Sequence, residues 1–268
     1  MEKYDGTTRS LALKSRRPNS HPNQHSELEL KLLDKMRIRY GHEGYAEIYV
    51  QALKRGYNRS YGSMSKQIRK LGKAKIKRRL KTSYVKYNSV DGKYPGDKVQ
   101  IDIKYVPMEC ILFNSNGERY YQITAIDEYS RKRVLKIVSE KSTYSTSEFV
   151  KQLESKFGFK IKTIQTDNGP EFINTNAEDG KSTLFEETLK LLNIKHKRTR
   201  PYSPWQNGKV ERSHKLDNEL FYNRQEFYSE EDLHKKSSRY NNRYNNISRK
   251  ILDFKSPNQI IQEFSFNQ

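Results

Sequence analysis

Residues 97–108 read "DKVQIDIKYVPM", and Val99, Ile101, Ile103 and Tyr105 alternate there with Gln100, Asp102 and Lys104. A period of two is that of a β-strand with one apolar face, so Asp102 projects from the face opposite Val99 and Ile101. Downstream, "RYYQITAIDEYS" (119–130) and "KRVLKIVSEK" (132–141) read as two more short strands joined by a turn around residues 128–131. A helix is expected over residues 143–157, then a strand in "IKTIQTDNG" (161–169) that Asp167 ends, where Asn168-Gly169-Pro170 turns the chain. "STLFEETLKLLN" (182–193) is amphipathic and helical, "IKHKRTR" (194–200) extended, and "WQNGKVERSHKLDNELFYN" (205–223) a helix that carries Glu211. Three strands, helix, strand, helix, strand, helix predicts an α/β fold with a mixed five-stranded sheet.

Upstream of this core the pattern is helical. Residues 1–25 are polar and rich in Ser, Asn, Pro and Arg, which predicts an extended basic arm. Ser26 with Glu29 forms a capping box for a helix over Glu27–Tyr40, with Leu28, Leu32, Met36 and Tyr40 at helical spacing. A second helix near residues 45–54 ends at Gly56, and Ser60 or Ser63 caps a third. Two short helices joined by a Gly-containing turn, the second bearing Lys66, Arg69 and Lys70, suit a helix-turn-helix over residues 26–72. The same spacing suits a basic three-helix bundle that reads no bases. In "KAKIKRRLK" (73–81) six of nine residues are cationic, Lys77, Arg78 and Arg79 among them. The segment 73–95 therefore reads as a solvated linker that also tracks phosphates.

Composition points the same way. The chain has 268 residues and a formal charge of +20, far more than solubility needs and of the sign that attracts a polyanion. Residues 1–95 hold 23 Lys and Arg against 8 Asp and Glu, so the front third carries most of the excess. Cys110 is the single cysteine, which excludes an intramolecular disulfide and a cysteine-based zinc module and fits a reducing cytoplasm. No apolar run predicts a secretory signal or a membrane span.

In that cationic setting Asp102, Asp167 and Glu211 stand out. Singly each is ordinary: a strand Asp beside Lys104, a turn Asp before Asn-Gly, a solvated helix Glu. Together they are hard oxygen donors brought from separate elements, the set by which Mg²⁺ is held alongside substrate phosphate. Two such ions support in-line phosphoryl displacement.

"QIDI", "TDNGPEF" and "YSPWQNGKVERSH" resemble the three signature blocks of DDE transposases with a retroviral-integrase-type core, in particular those of bacterial insertion sequences. The resemblance covers about residues 97–223. The 1–25 arm and the closing "RYNNRYNNISRKILDFKSPNQII" are also similar to segments of those transposases. It implies an RNase H-like core over residues 96–224, a helical tail over 225–268, and an Asp102-Asp167-Glu211 site holding Mg²⁺ or Mn²⁺. It further implies cleavage and joining of double-stranded DNA at element ends by a homo-oligomer in the bacterial nucleoid. The gap between Asp167 and Glu211 is 43 residues, longer than is usual in this type of core, with the surplus expected in the polar stretch 174–183. Relatives commonly carry a further helix-turn-helix ahead of the arm, which suggests a truncated copy, a degraded element or half of a frameshifted product.

Around Glu211, Asn207 and Lys215 share its helical face and are candidate DNA contacts, with Lys209 and Arg212 beside them. Trp205 is expected to pack at the helix start. His214 lies one step off the face, and a two-metal mechanism needs no separate base there. The competing reading is a transposase-derived DNA-binding repressor that keeps the core as a scaffold.

Overall fold

The computed structural model describes residues 23–71, 92–114, 117–174, 181–200 and 203–266. The linker cations Lys77, Arg78 and Arg79, the 1–22 arm and most of the 174–183 stretch lie outside them.

Three helices come first, α1 (Glu27–Tyr40), α2 (Tyr45–Leu53) and α3 (Tyr61–Leu71). The capping box at Ser26 is formed, with the Ser26 hydroxyl accepting from the Glu29 N–H and the Glu29 carboxylate from the Ser26 N–H. Leu33, Met36, Ile48, Ala52, Tyr57, Met64 and Ile68 close a core of their own. Leu28, expected on the buried stripe, is instead 79% exposed. The buried residues of α1 are Leu33 and Met36, with Leu32 and Tyr40 partly buried against the same core.

The sheet follows: β1 (Val99–Tyr105), β2 (Tyr121–Asp127), β3 (Arg133–Val138), β4 (Thr163–Thr166) and β5 (Lys195–Arg198), in the order β3-β2-β1-β4-β5. β1 and β3 pair antiparallel with β2, while β4 runs parallel to β1 and to β5. Gly96 enters β1 with φ +86°, and a Cβ there would stand 2.0 Å from the Lys160 carbonyl oxygen, so only glycine fits.

One sheet face is apolar. Val99, Ile101, Ile123, Ala125, Val134 and Ile164 pack under α4 (Thr143–Lys151), α5 (Leu153–Phe157) and α6 (Leu184–Leu191) through Phe149, Leu153, Phe157 and Phe185. The helix expected over 143–157 is two, with Gln152 between them, where its N–H turns back to the Phe149 carbonyl at 3.2 Å.

The other face is polar yet buried: Gln100, Gln122, Thr124 and Gln165 are each 2% exposed or less. It is covered by α7 (Gly208–Leu220), preceded by a short 3₁₀ turn, and by α8 (Glu230–Asn246), with α9 (Pro257–Phe266) closing the chain. Phe221, Tyr222 and Phe227 seal the far end of α7 against Tyr120 and Ile137. No described helix is long and apolar enough to cross a membrane.

Candidate active site

The N-terminal end of α7 is fixed by amide side chains from two strands. Gln100 Oε1 accepts from the backbone N–H groups of Lys209 and Val210, each at 3.1 Å, two of the donors that a first helical turn leaves without helical partners. Its Nε2 donates to Glu128 at 2.7 Å and to the Gln206 carbonyl at 3.0 Å. Gln165 donates to the same carbonyl at 2.8 Å and to Asn207 Oδ1 at 3.3 Å, while Asn207 Nδ2 donates to the Ile101 carbonyl at 3.3 Å. The helix start is therefore registered against β1 and β4, the strands that present Asp102 and end at Asp167.

Glu211 lies in the first turn of α7, and Asp102 faces the same helix from β1. Asp102 Oδ2 is 3.3 Å from His214 Nδ1, one turn along α7, and Asp102 Oδ1 accepts from the Ile103 N–H at 2.8 Å. Lys104, the partner that the strand alone suggests for Asp102, reaches the Asn218 side chain instead. Asp167 Oδ1 accepts from the Gly169 N–H at 3.1 Å, and Asn168 donates to the Thr199 carbonyl at 3.1 Å, which holds the turn after β4 against β5.

The three carboxylates act on one another. Burial pushes the Asp167 carboxyl above its ordinary range, and the charges of Asp102 and Glu171 add to that rise. Burial likewise raises Glu211, with Asp102 and Asp167 adding to the rise and His214 opposing it. Among the described residues no three acidic, His or Cys side chains are drawn to metal-ligating distance. The donor set fits a hard divalent cation: ionisable oxygens from β1, the end of β4 and α7, with the positive charge that their repulsion calls for.

Beside Asp167, Glu171 is 4% exposed and pairs with Lys141 at 3.0 Å. Gly169 makes room for it, since a Cβ there would meet the Glu171 carboxylate at 2.5 Å.

The candidate DNA contacts divide. Lys66, Arg69 and Lys70 are exposed on one helix, as are Arg212 and Lys215 on α7. Asn207 is not a surface contact: it is 3% exposed and spent on the sheet, because the 3₁₀ turn before α7 swings it inward. Lys209 is drawn to the buried Glu128 carboxylate at 3.3 Å, which Lys98 also meets at 2.8 Å, so its charge serves the fold first. Trp205, expected to pack, is 52% exposed, for the same turn carries it outward. Gln100 and Gln165 are positioning residues that sequence reading did not single out, and His214, weighed there only as a base, stands against Asp102 instead. Gln100 carried one available signal, its place two residues before Asp102 on the same strand face.

The pattern of the Integrase core domain family matches residues 92–204, and a second Integrase core domain pattern matches residues 192–249. The Spiroplasma virus SpV1-C74 protein named "Putative integrase ORF3" is 32% identical over 201 residues, covering 71% of this chain and 54% of that one. The chain thus spans about half the length of that curated relative. Among solved structures, a chain of the simian T-cell lymphotropic virus intasome in complex with PP2A regulatory subunit B56 gamma superposes with a TM-score of 0.51 at 18% identity, over 85% of this chain and 73% of that chain. The HTLV-2 integrase catalytic core domain in complex with magnesium aligns over 63% of this chain and 98% of its own, at 20% identity and a TM-score of 0.46. With the mixed five-stranded sheet and the helices that cover it, the two Integrase core domain matches, together spanning residues 92–249, show that the chain carries an integrase-type core.

Proposed function

We propose that the chain is a transposase, a metal-dependent DNA strand-transferase that binds the ends of a mobile element, cuts there and joins them to target DNA. The observation that supports this reading is electrostatic: burial raises the Asp167 and Glu211 carboxyls, and the charge of Asp102 adds to the rise of both. Active sites that bind cations are where such charge frustration is expected, since the cation relieves it.

In this reading the three carboxylates hold Mg²⁺ or Mn²⁺, two ions in all. When bound, they supply activation of the attacking oxygen and stabilisation of the leaving oxygen in an in-line displacement at phosphorus. The chain's own part is positioning. Gln100 and Gln165 set the rotation and depth of α7 and so fix Glu211. His214 orients Asp102 through its Nδ1 contact. Lys141 tempers the negative charge at Asp167. Arg212 and Lys215 face the phosphate backbone.

Residues 26–72 serve as a helix-turn-helix in which Lys66, Arg69 and Lys70 meet element-end DNA, and residues 73–95 as a basic linker carrying Lys77, Arg78 and Arg79. Residues 96–224 form the catalytic core and 225–268 a helical tail. The protein works as a homo-oligomer on double-stranded DNA, associated with the bacterial nucleoid.

The test is incubation with the flanking DNA of its own element and Mg²⁺, with nicks mapped at nucleotide resolution. Unmodified protein should cut at the element end, while Asp102→Asn, Asp167→Asn and Glu211→Gln should each fall to background and still bind DNA. A neutral variant that nicks at near the unmodified rate removes that residue from the site.

A further inference from the structure

On the side of α7 away from the carboxylates lies a cleft of about 930 Å³. Its α7 wall is Gly208 together with Lys209, Arg212, Ser213 and Leu216, the last four at i, i+3, i+4 and i+7 from Lys209, whereas Glu211, His214 and Lys215 do not line it. Eight lining residues are Lys or Arg, and one, Glu128, is acidic. Glu128 is 1% exposed and already met by Lys98 and Lys209, so it offers no negative charge to the cleft mouth. Lys197, Arg198, Arg200 and Arg212 are exposed there and make no ion pair with a described residue. At the same wall stand Trp205, 52% exposed, and Ile251, 72% exposed.

We infer that this cleft binds single-stranded DNA, a second nucleic-acid site distinct from the carboxylate site across the helix. Cations that track a backbone, set beside an exposed aromatic face, are the two components of sequence-tolerant single-strand binding. In a duplex the bases are stacked on one another and their faces are closed to Trp205, whereas an unpaired base can lie on the indole. The inference rests on the strand-transfer reading and deepens it: a nick leaves a free strand end that can fray from its complement, and this cleft is where the frayed end would be held.

Trp205 is the single tryptophan of the chain, so its intrinsic fluorescence reports on the cleft alone. Titration with a short oligodeoxythymidylate, in the absence of divalent metal, should quench it. Affinity should fall with salt, and Lys197→Ala/Arg198→Ala should weaken binding about tenfold and flatten the log–log salt slope by about 1.4, two single-strand phosphate contacts' worth. Both residues are exposed on the edge strand β5, and circular dichroism checks that the variant folds. Trp205→Phe, followed by anisotropy of a labelled oligonucleotide, should retain most of the affinity, and Trp205→Ala should lose more. Absence of quenching, equal quenching by a duplex of the same length, or unchanged affinity in Lys197→Ala/Arg198→Ala each overturns the inference. Because the assay uses no metal and no cleavage, Asp102→Asn should bind the oligonucleotide like the unmodified chain, which separates failure here from failure of the nicking assay.

Discussion

Asp167 and Glu211 carry a stability cost that has a defined sign. Burial and neighbouring carboxylates raise both pKa values in the folded chain above those of the unfolded chain. The folded state then holds protons more tightly, and stability falls as pH rises from the ordinary carboxylate range through the raised values. Asp167→Asn and Glu211→Gln remove that ionisation, so each should raise the metal-free melting temperature at pH 7, with the gain shrinking toward pH 4. Scanning calorimetry at both pH values checks this, and a lower melting temperature for both variants at pH 7 would contradict it. Mg²⁺ should stabilise the unmodified protein by an amount set by its concentration relative to the dissociation constant, and the variants less. Of the proposed site, the acidic candidates could be named from the sequence, because a carboxylate in a strand or beside Asn-Gly is visible as a residue type at a spacing. The role of Gln100 was not. Its Oε1 serves N–H groups more than a hundred residues away, and no local pattern records such a contact.

Between elements, Arg133 is tied to Asp217, both fully buried and 2.6 Å apart. Arg133 also donates to Ser213 at 2.9 Å and to Asn241 at 3.1 Å, and its guanidinium lies over the Tyr244 ring at 3.8 Å, so β3, α7 and α8 meet on one side chain. Asp217→Ala leaves that guanidinium buried without its counter-charge and should cost about 3–5 kcal/mol in urea unfolding. Burial pushes the Asp217 carboxyl up, but the Arg133 charge and the hydrogen bonds from Gln122 and Arg133 outweigh it, and its pKa sits below the ordinary value. A depressed carboxyl contributes stability above the unfolded pKa and loses it as pH falls through the folded one. Part of the acid unfolding below about pH 4 should therefore vanish in Asp217→Ala. On α3, Arg69→Ala should weaken element-end binding and relax discrimination by about 1–3 kcal/mol if the side chain reads guanine. Equal weakening on unrelated DNA in a competition assay would reduce it to a phosphate contact. Periodicity located these elements well because each buries one face, which is what period two and period 3.6 record. It failed at Leu28, which sits at helical spacing yet is exposed, and at Gln152, where the expected helix breaks into two.

At the scale of the whole molecule, the three N-terminal helices are clasped by the C-terminal part of the chain. Arg243 meets Glu43, the Glu47 carboxylate accepts from the Ser248 N–H at 2.8 Å, and Phe254 packs against the rings of Tyr49 and Tyr61. Glu47 is 6% exposed, so Glu47→Ala should cost about 1–3 kcal/mol at the clasp. Hydrogen exchange should quicken across residues 243–254 while the Leu33, Met36 and Ile48 positions stay protected. Uniform loss of protection over α1 to α3 would mean that the clasp holds the helices folded and not merely docked. None of these ties was legible in the sequence, since their partners lie about two hundred positions apart and each is a single contact.

The clasp also orders events in time. The Leu33–Ile68 core is complete once residue 71 has emerged, and it can form while the sheet is still being made. Its anchor at Phe254 arrives after a further 183 residues, an interval of about 10–40 s at ordinary rates of synthesis. Throughout that interval the three helices can stand as a basic head, able to touch any polyanion near the ribosome before the C-terminal clasp has been made.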